Sequence, residues 1–241
     1  VFPLVGNDGG GVDYVTLPEA LEAHALTVTE VNAGGSVPEL TVNNAGDTAV
    51  LLLDGEELAG AKQNRVLNTS VLVPGRQSLV IPVSCTEQGR WAYATEQCYD
   101  SDTVMSSRIR ARKSHSVSAC LEHSAEFRSD QGAVWDGIEE LHQAAGTTSP
   151  TASMRDAFEA RRDKLDAACK AFPALPGQTG LLVVIDGKAA GLDRVSRPAA
   201  YARLHGKLVR SYLMDALVGR KRAAADAGAA VEAGRTFLER A

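Results

Sequence analysis

The sequence predicts an α+β protein. An antiparallel β-rich N-terminal half, sandwich- or barrel-like, is expected to pack against a mainly helical C-terminal half with one added β-hairpin. Three observations predict this. Between Leu26 and Cys85, short apolar runs alternate with turn residues at close spacing, as in an antiparallel meander. From about residue 116 the apolar spacing becomes three and four, the period of a helix packed by one face. Late in the chain, Leu181–Ile185 is again strand-like and is turned by Asp186-Gly187.

Taken in order, Gly9-Gly10-Gly11 reads as a flexible lead-in, and Pro18 marks a short turn or helix. Strands are expected over Leu26–Val31 and around Leu40–Asn43, with a loop at Asn32–Pro38 between them. Asn44-Ala45-Gly46-Asp47 is turn chemistry. Ala49–Leu53 is a continuous apolar strand, and Asp54-Gly55 predicts a hairpin returning through Glu56–Ala61. Strands over Val66–Val73 and Gln77–Cys85 complete the module. In the last of these Leu79, Ile81, Val83 and Cys85 share one parity, the expected core face.

Residues 92–116 read as irregular and include a basic run, Arg108–Lys113, suited either to phosphate or to a solvated loop or helix face. Helices are expected over Gln131–Ala144, with Val134, Ile138 and Leu141 on one face, and over Ser153–Phe172, ended by Pro173. A hairpin follows at 181–195. The next helix, from Arg197 to Val218, carries Tyr201, Leu204, Leu208 and Tyr212 as its apolar stripe, with Lys207 and Ser211 read as ordinary helix surface. Residues 219–241 read as a helix or frayed tail. The whole, 1–241, is expected to be a single domain, with a β-rich half at 16–91 and a mainly helical half at 92–218.

Composition narrows the function. The chain has 241 residues, is 44% hydrophobic and carries a net charge of −5, enough for a substantial core and against non-specific nucleic-acid binding. No run approaches the roughly 18 apolar residues that span a bilayer. Cysteines at 85, 98, 120 and 169 form no C-x-x-C pair, which fits a reducing cytoplasm better than a disulfide framework or zinc ribbon. The chain has no Walker A loop, no strand-linked G-x-G-x-x-G, no H-E-x-x-H and no G-x-S-x-G. No metal or cofactor can be named from it.

The densest chemistry lies between Asp54 and Trp91. Asp54, Glu56 and Glu57 form one acidic group; Lys62, Gln63, Asn64, Arg65 and Asn68 form a second, mixed group; Glu87, Gln88, Arg90 and Trp91 follow a strand end. Arg and Lys supply charge, Gln and Asn supply oriented dipoles, and Trp supplies a stacking face, a combination suited to an anionic nucleotide-like ligand. Glu57 and Glu87 are the candidate catalytic bases. Asp54, Glu56, Lys62, Gln63, Asn64, Arg65, Asn68, Gln88, Arg90 and Trp91 are the candidate ligand-binding residues. Asp54, Glu56, Glu57, Gln63, Asn64, Arg65, Glu87, Gln88, Arg90 and Trp91 are expected to converge in one cleft between the two halves. Cys85 is open to two readings, a nucleophile or an inert packing thiol.

The stretches D-G-E-E-L-x-G-A-K-Q-N-R-V-L-N-T-S, Asp54–Ser70, and I-P-V-S-C-x-E-Q-G-R-W, Ile81–Trp91, resemble a family of mostly bacterial and archaeal domains of poorly defined function. It is the ARG and rhodanese-phosphatase-superfamily-associated protein domain family, named for gene association with ADP-ribosylglycohydrolases and rhodanese-type phosphatases. "IDGKAAGLDRV" and "KLVRSYLMDAL" extend the likeness over most of the chain. The resemblance implies a link to ADP-ribose or related phosphorylated nucleotide products and supplies no catalytic residues. Two functions stay open. One is a domain that binds, and processes, such a ligand. The other is a non-catalytic interaction or structural module whose polar motif stabilises the fold or a partner interface.

Overall fold

The structure is a computed structural model and describes residues 1–7, 9–219 and 227–240. The strands are β1 (Phe2–Val5), β2 (Tyr14–Thr16), β3 (Leu26–Thr29), β4 (Glu39–Asn44), β5 (Ala49–Leu52), β6 (Glu56–Gly60), β7 (Arg65–Leu67), β8 (Val71–Val73), β9 (Gln77–Cys85), β10 (Cys98–Val104), β11 (Gln178–Ile185) and β12 (Lys188–Arg194). The helices are α1 (Leu17–Glu22), α2 (Ser107–Ser124), α3 (Gln131–Ala145), α4 (Met154–Glu159), α5 (Arg162–Cys169), α6 (Pro198–Val218) and α7 (Ala227–Leu238). The fold is α+β, with a six-stranded antiparallel sheet in the N-terminal half and the helices mostly C-terminal. By contact the chain divides into two compact units.

The larger unit comprises Val12–Met105 and Ile109–Arg162. Its main sheet runs β10-β6-β7-β9-β4-β3, and a second sheet runs β2-β5-β8 with β2 and β5 parallel. The alternating apolar residues of these strands make its core: Val28, Leu40, Val42, Leu52, Leu58, Leu67, Ile81 and Val83 are all buried. Each such side chain contributes about 1.5–3 kcal/mol relative to exposure. The parity read for Gln77–Cys85 holds: Ile81, Val83 and Cys85 are buried and Leu79 is packed against them. α3 starts on Asp130, whose side chain accepts from the Ala133 N–H at 3.0 Å, and ends on Gly146 in the left-handed region.

The smaller unit comprises Val1–Gly11, Ser106–Arg108 and Asp163–Ala241. Its antiparallel sheet runs β1-β11-β12, and α6 and α7 pack on it. The Asp186-Gly187 hairpin forms as predicted, pairing Ile185 with Lys188. Tyr201, Leu204, Leu208 and Tyr212 are buried, and the Tyr212 hydroxyl donates to Asp193 Oδ2 at 2.6 Å. Gly191 lies under the Tyr212 ring, where an added Cβ would meet the hydroxyl at 2.7 Å. Lys207 and Ser211 are also buried, not solvent surface. Of the tail at 219–241, residues 227–238 are helical; 220–226 and 241 lie outside the described residues.

Four further expectations are corrected. Asp54-Gly55 does not close a hairpin between β5 and β6, because β5 pairs with β2 and β8 while β6 pairs with β7 and β10. The turn carries the chain from one sheet to the other. It needs Gly55, at φ +78° and against the Arg110 side chain. Val66–Val73 is two strands in two sheets, separated by Asn68–Ser70. Residues 92–116 are not irregular throughout: they hold β10 and the start of α2, so the basic run lies on a helix and is spread around it. Ser153–Phe172 is likewise two short helices, α4 and α5.

Candidate functional site

The register of the main sheet decides which candidate residues meet. Across β6, β7 and β9, Leu58 pairs with Arg65 and Arg65 with Cys85, while Glu57 pairs with Val66 and Val66 with Ser84. Paired residues share a face and neighbours alternate. Arg65 and Glu57 therefore point to opposite sides of one sheet. The single cleft expected from the sequence is replaced by several separate groupings.

On the first face Arg65 is fully buried, at 0% exposure. Its Nε donates to the Val37 carbonyl at 3.0 Å, whereas Nη1 and Nη2 have no hydrogen-bond partner among the described residues. Glu30 Oε1 stands 4.0 Å from Nη2, and that oxygen accepts from the Lys62 N–H at 3.0 Å. Glu30 Oε2 is also buried and without a partner. The Trp91 ring lies over the guanidinium, 5.5 Å from Cζ to centroid. Lys62 Nζ sits 5.4 Å from the Trp91 centroid and 5.1 Å from that of Tyr93, and donates to the Gly34 carbonyl at 2.8 Å. Trp91 is 45% exposed and Tyr93 51%. Gly35, at φ +77°, closes on the same place: an added Cβ would lie 3.1–3.2 Å from Glu30 Oε2, Lys62 Cδ and Trp91. Burial lowers the Arg65 pKa from its ordinary value, with Cys85 and Glu30 opposing. A buried guanidinium with two undirected nitrogens is costly unless something accepts from them.

On the opposite face Glu57 is fully buried and accepts from Thr86 Oγ1 at 2.7 Å. Burial pushes its carboxyl up to about 7, against the pull of Thr86, Ser101 and Arg155.

Glu87 is held from three directions. Oε1 accepts from Thr151 Oγ1 at 2.9 Å, and Oε2 accepts from Arg90 Nη2 at 2.6 Å and the Asn64 N–H at 3.2 Å. Burial would raise its pKa, but Arg90, Thr151 and Asn64 outweigh it and hold the carboxyl below its ordinary value. Arg90 spends Nη1 on the Ala61 and Ala92 carbonyls, and Nη2 also on the Gly60 carbonyl and Asn64 Oδ1. Gln63 Nε2 donates to the Glu87 carbonyl at 3.0 Å. Asn64, Gln63, Glu87 and Arg90 are thus brought together, as a network closed largely on itself.

The remaining candidates are elsewhere. Asp54 pairs with the buried Lys113 and accepts from Ser114 Oγ at 3.1 Å; Lys113 also donates to the Leu67 and Asn68 carbonyls. Glu56 Oε2 accepts from the Leu53 N–H at 2.6 Å and braces the turn. Asn68 donates to the Phe127 carbonyl at 2.9 Å. Gln88 lines a surface cavity of about 420 Å³ with Trp135, Asp136, Glu139 and His142. Cys85 is buried, its Sγ donates to the Glu87 carbonyl at 3.3 Å, and burial raises its pKa, all of which favour the packing-thiol reading. His142 is occupied by Thr147 Oγ1 and the Ser153 carbonyl.

Several participants carry no sequence signal of their own. Glu30 is a lone carboxylate at a strand end, brought to Arg65 from 35 residues away. Thr151 reaches Glu87 from a loop, and Lys113 reaches Asp54 from α2. Tyr93 was legible in principle, two residues beyond Trp91.

A sequence model described as the ARG and Rhodanese-Phosphatase-superfamily-associated Protein domain matches residues 1–241. No curated protein and no solved structure matches the chain. Among the described residues no helix is long and apolar enough to cross a membrane, and no group of three His, Cys, Asp or Glu side chains is placed to hold a metal ion.

Proposed function

The chain belongs to the ARG and rhodanese-phosphatase-superfamily-associated protein domain family, and from that premise we propose that it binds an anionic, nucleotide-like ligand, of which ADP-ribose is the first to test. The observation that carries the reading is Arg65, a fully buried guanidinium with neither terminal nitrogen hydrogen-bonded. Such a fork matches two oxygens of a phosphate. Lys62 adds a second positive charge, and Trp91 and Tyr93 offer exposed aromatic faces beside it, suited to a base. In this reading the ligand reaches Arg65 by displacing the Trp91 indole, which covers it.

The reading is binding rather than turnover. Both Glu87 oxygens are committed to hydrogen bonds and its pKa is depressed, which makes it a poor base. Glu57 has the proton affinity of an acid or base but faces away from Arg65. The second reading, a structural role for the polar motif, is favoured by the closed bonding of Glu87, Arg90 and Asn64. The two roles divide between residues: Arg65, Lys62 and Trp91 for ligand; Glu87, Arg90, Asn64 and Gln63 for fold.

A thermal-shift panel of ADP-ribose, NAD, linear and cyclic nucleotides and phosphosugars tests this. A ligand at about 100 times its Kd stabilises by roughly 2.7 kcal/mol. A shift that Lys62→Gln weakens and Arg65→Lys removes supports the proposal. An unchanged melting temperature across the panel contradicts it.

A further inference from the structure

We infer that Glu30 makes the Arg65 site selective for a phosphorylated sugar over a bare anion, its carboxylate accepting a ligand hydroxyl while Arg65 holds the phosphate. This rests on the proposed ligand-binding role of Arg65.

The argument starts from what these two groups do not do. A buried Arg and Glu left to themselves close into a bidentate pair at about 2.7–2.9 Å. Here the nearest approach is 4.0 Å, and no hydrogen bond joins them. Glu30 is restrained instead by the Lys62 N–H on Oε1, and Arg65 by the Val37 carbonyl on Nε. Each keeps its other end unbonded: Oε2 on Glu30, Nη1 and Nη2 on Arg65. Both are shielded from water, with Glu30 at 7% exposure.

A ligand that satisfies both ends brings an acceptor anion and a hydrogen-bond donor side by side. Sulfate meets half of that demand. It satisfies Arg65 but leaves Oε2 unbonded; the charge it sets beside the Glu30 carboxylate is the same as that of a phosphate monoester. A sugar phosphate meets all of it, since its hydroxyls donate where sulfate cannot. Rejection of the analogue lacking a hydroxyl is then a consequence of a buried acceptor left unpaired. Gly35, at φ +77°, lies beside Glu30 Oε2: an added Cβ would stand 3.1 Å from that oxygen, so the absence of a side chain leaves its approach less crowded.

The test is calorimetric titration of the full chain with ribose 5-phosphate and with sulfate, for the wild type and Glu30→Gln, Glu30→Asp and Arg65→Lys. Gln keeps an oxygen for the Lys62 N–H and removes the charge, so the fold is retained; a thermal melt of each variant checks it. The wild type is expected to prefer ribose 5-phosphate by about tenfold or more, the scale of one hydrogen bond to a charged group. Glu30→Gln narrows that ratio, because both anions gain from loss of the carboxylate charge while only the sugar phosphate loses a charged acceptor for its hydroxyl. Glu30→Asp, charged but shorter, leaves sulfate as weak as in the wild type and weakens the sugar phosphate. A ratio near one in the wild type, or one unchanged in Glu30→Gln while Arg65→Lys abolishes binding, overturns the inference and leaves the Arg65 site standing. Binding of neither probe, or binding indifferent to Arg65→Lys, overturns the site itself.

Discussion

Arg90 Nη2 donates to Glu87 Oε2 at 2.6 Å, and the same guanidinium gathers the carbonyls of Gly60, Ala61 and Ala92. A residue that looks like an anion clamp in the sequence is here a fastener for the protein's own backbone. With Asn64 Oδ1, five acceptors, one of them charged, depend on it.

Arg90→Ala should therefore destabilise the fold by about 3 kcal/mol, the range for leaving one member of a largely buried ion pair unpaired. Urea unfolding followed by circular dichroism measures it. A loss below about 1 kcal/mol would place the pair among the weak surface bridges.

Lys113 holds three acceptors from a fully buried position: Asp54 and the Leu67 and Asn68 carbonyls. Lys113→Met preserves the volume and removes all three donations. A loss of about 3 kcal/mol is expected. Chemical denaturation of both proteins at equal ionic strength checks the figure.

Glu57 gives a pH signature with a definite sign. Its carboxyl is raised from 4.5 to about 7, so between those values the folded chain holds a proton that the unfolded chain has released. Glu57's contribution to stability is then intact below pH 4.5, falls as pH rises through 7, and is level above that. Glu57→Gln, permanently neutral, lacks this fall. The stability of the variant relative to wild type should rise by up to about 3 kcal/mol between pH 4.5 and 8. A relative stability independent of pH would mean that Glu57 is ionised throughout.

Cys85 and Cys98 are buried and Cys120 and Cys169 are partly exposed. Burial raises the first two thiols, Cys98 to about 12. A thiol reagent should label two cysteines quickly in the native protein and four after denaturation. Fast labelling of Cys85 would revive it as a nucleophile.

The sequence announced the strands and helices wherever local periodicity decided them: Gln77–Cys85, Gln131–Ala145 and the Asp186-Gly187 hairpin all form close to their expected limits. It misled where a local signal has two global outcomes. Asp-Gly fixes a tight turn, but pairing partners are set by sheets that assemble over longer distances, and at Asp54-Gly55 the two arms part. The short run Val66–Val73 is ambiguous for the same reason. In the candidate site the polar residues were legible as a group, and alternation along the strand already divides neighbours between two faces. Their partners were not legible, because Glu30, Lys113 and Thr151 come from distant segments with no pattern linking them to the motif.

The central claim is that Arg65 binds a phosphate in place of the Trp91 indole that covers it, and tryptophan fluorescence reads it most directly. The chain has two tryptophans, so Trp135→Phe leaves Trp91 as the only reporter. Titration of that protein with ADP-ribose should change the Trp91 emission saturably, and Arg65→Lys in the same background should abolish the change. Emission that stays constant to millimolar ADP-ribose, or that changes equally with and without Arg65, would contradict the account.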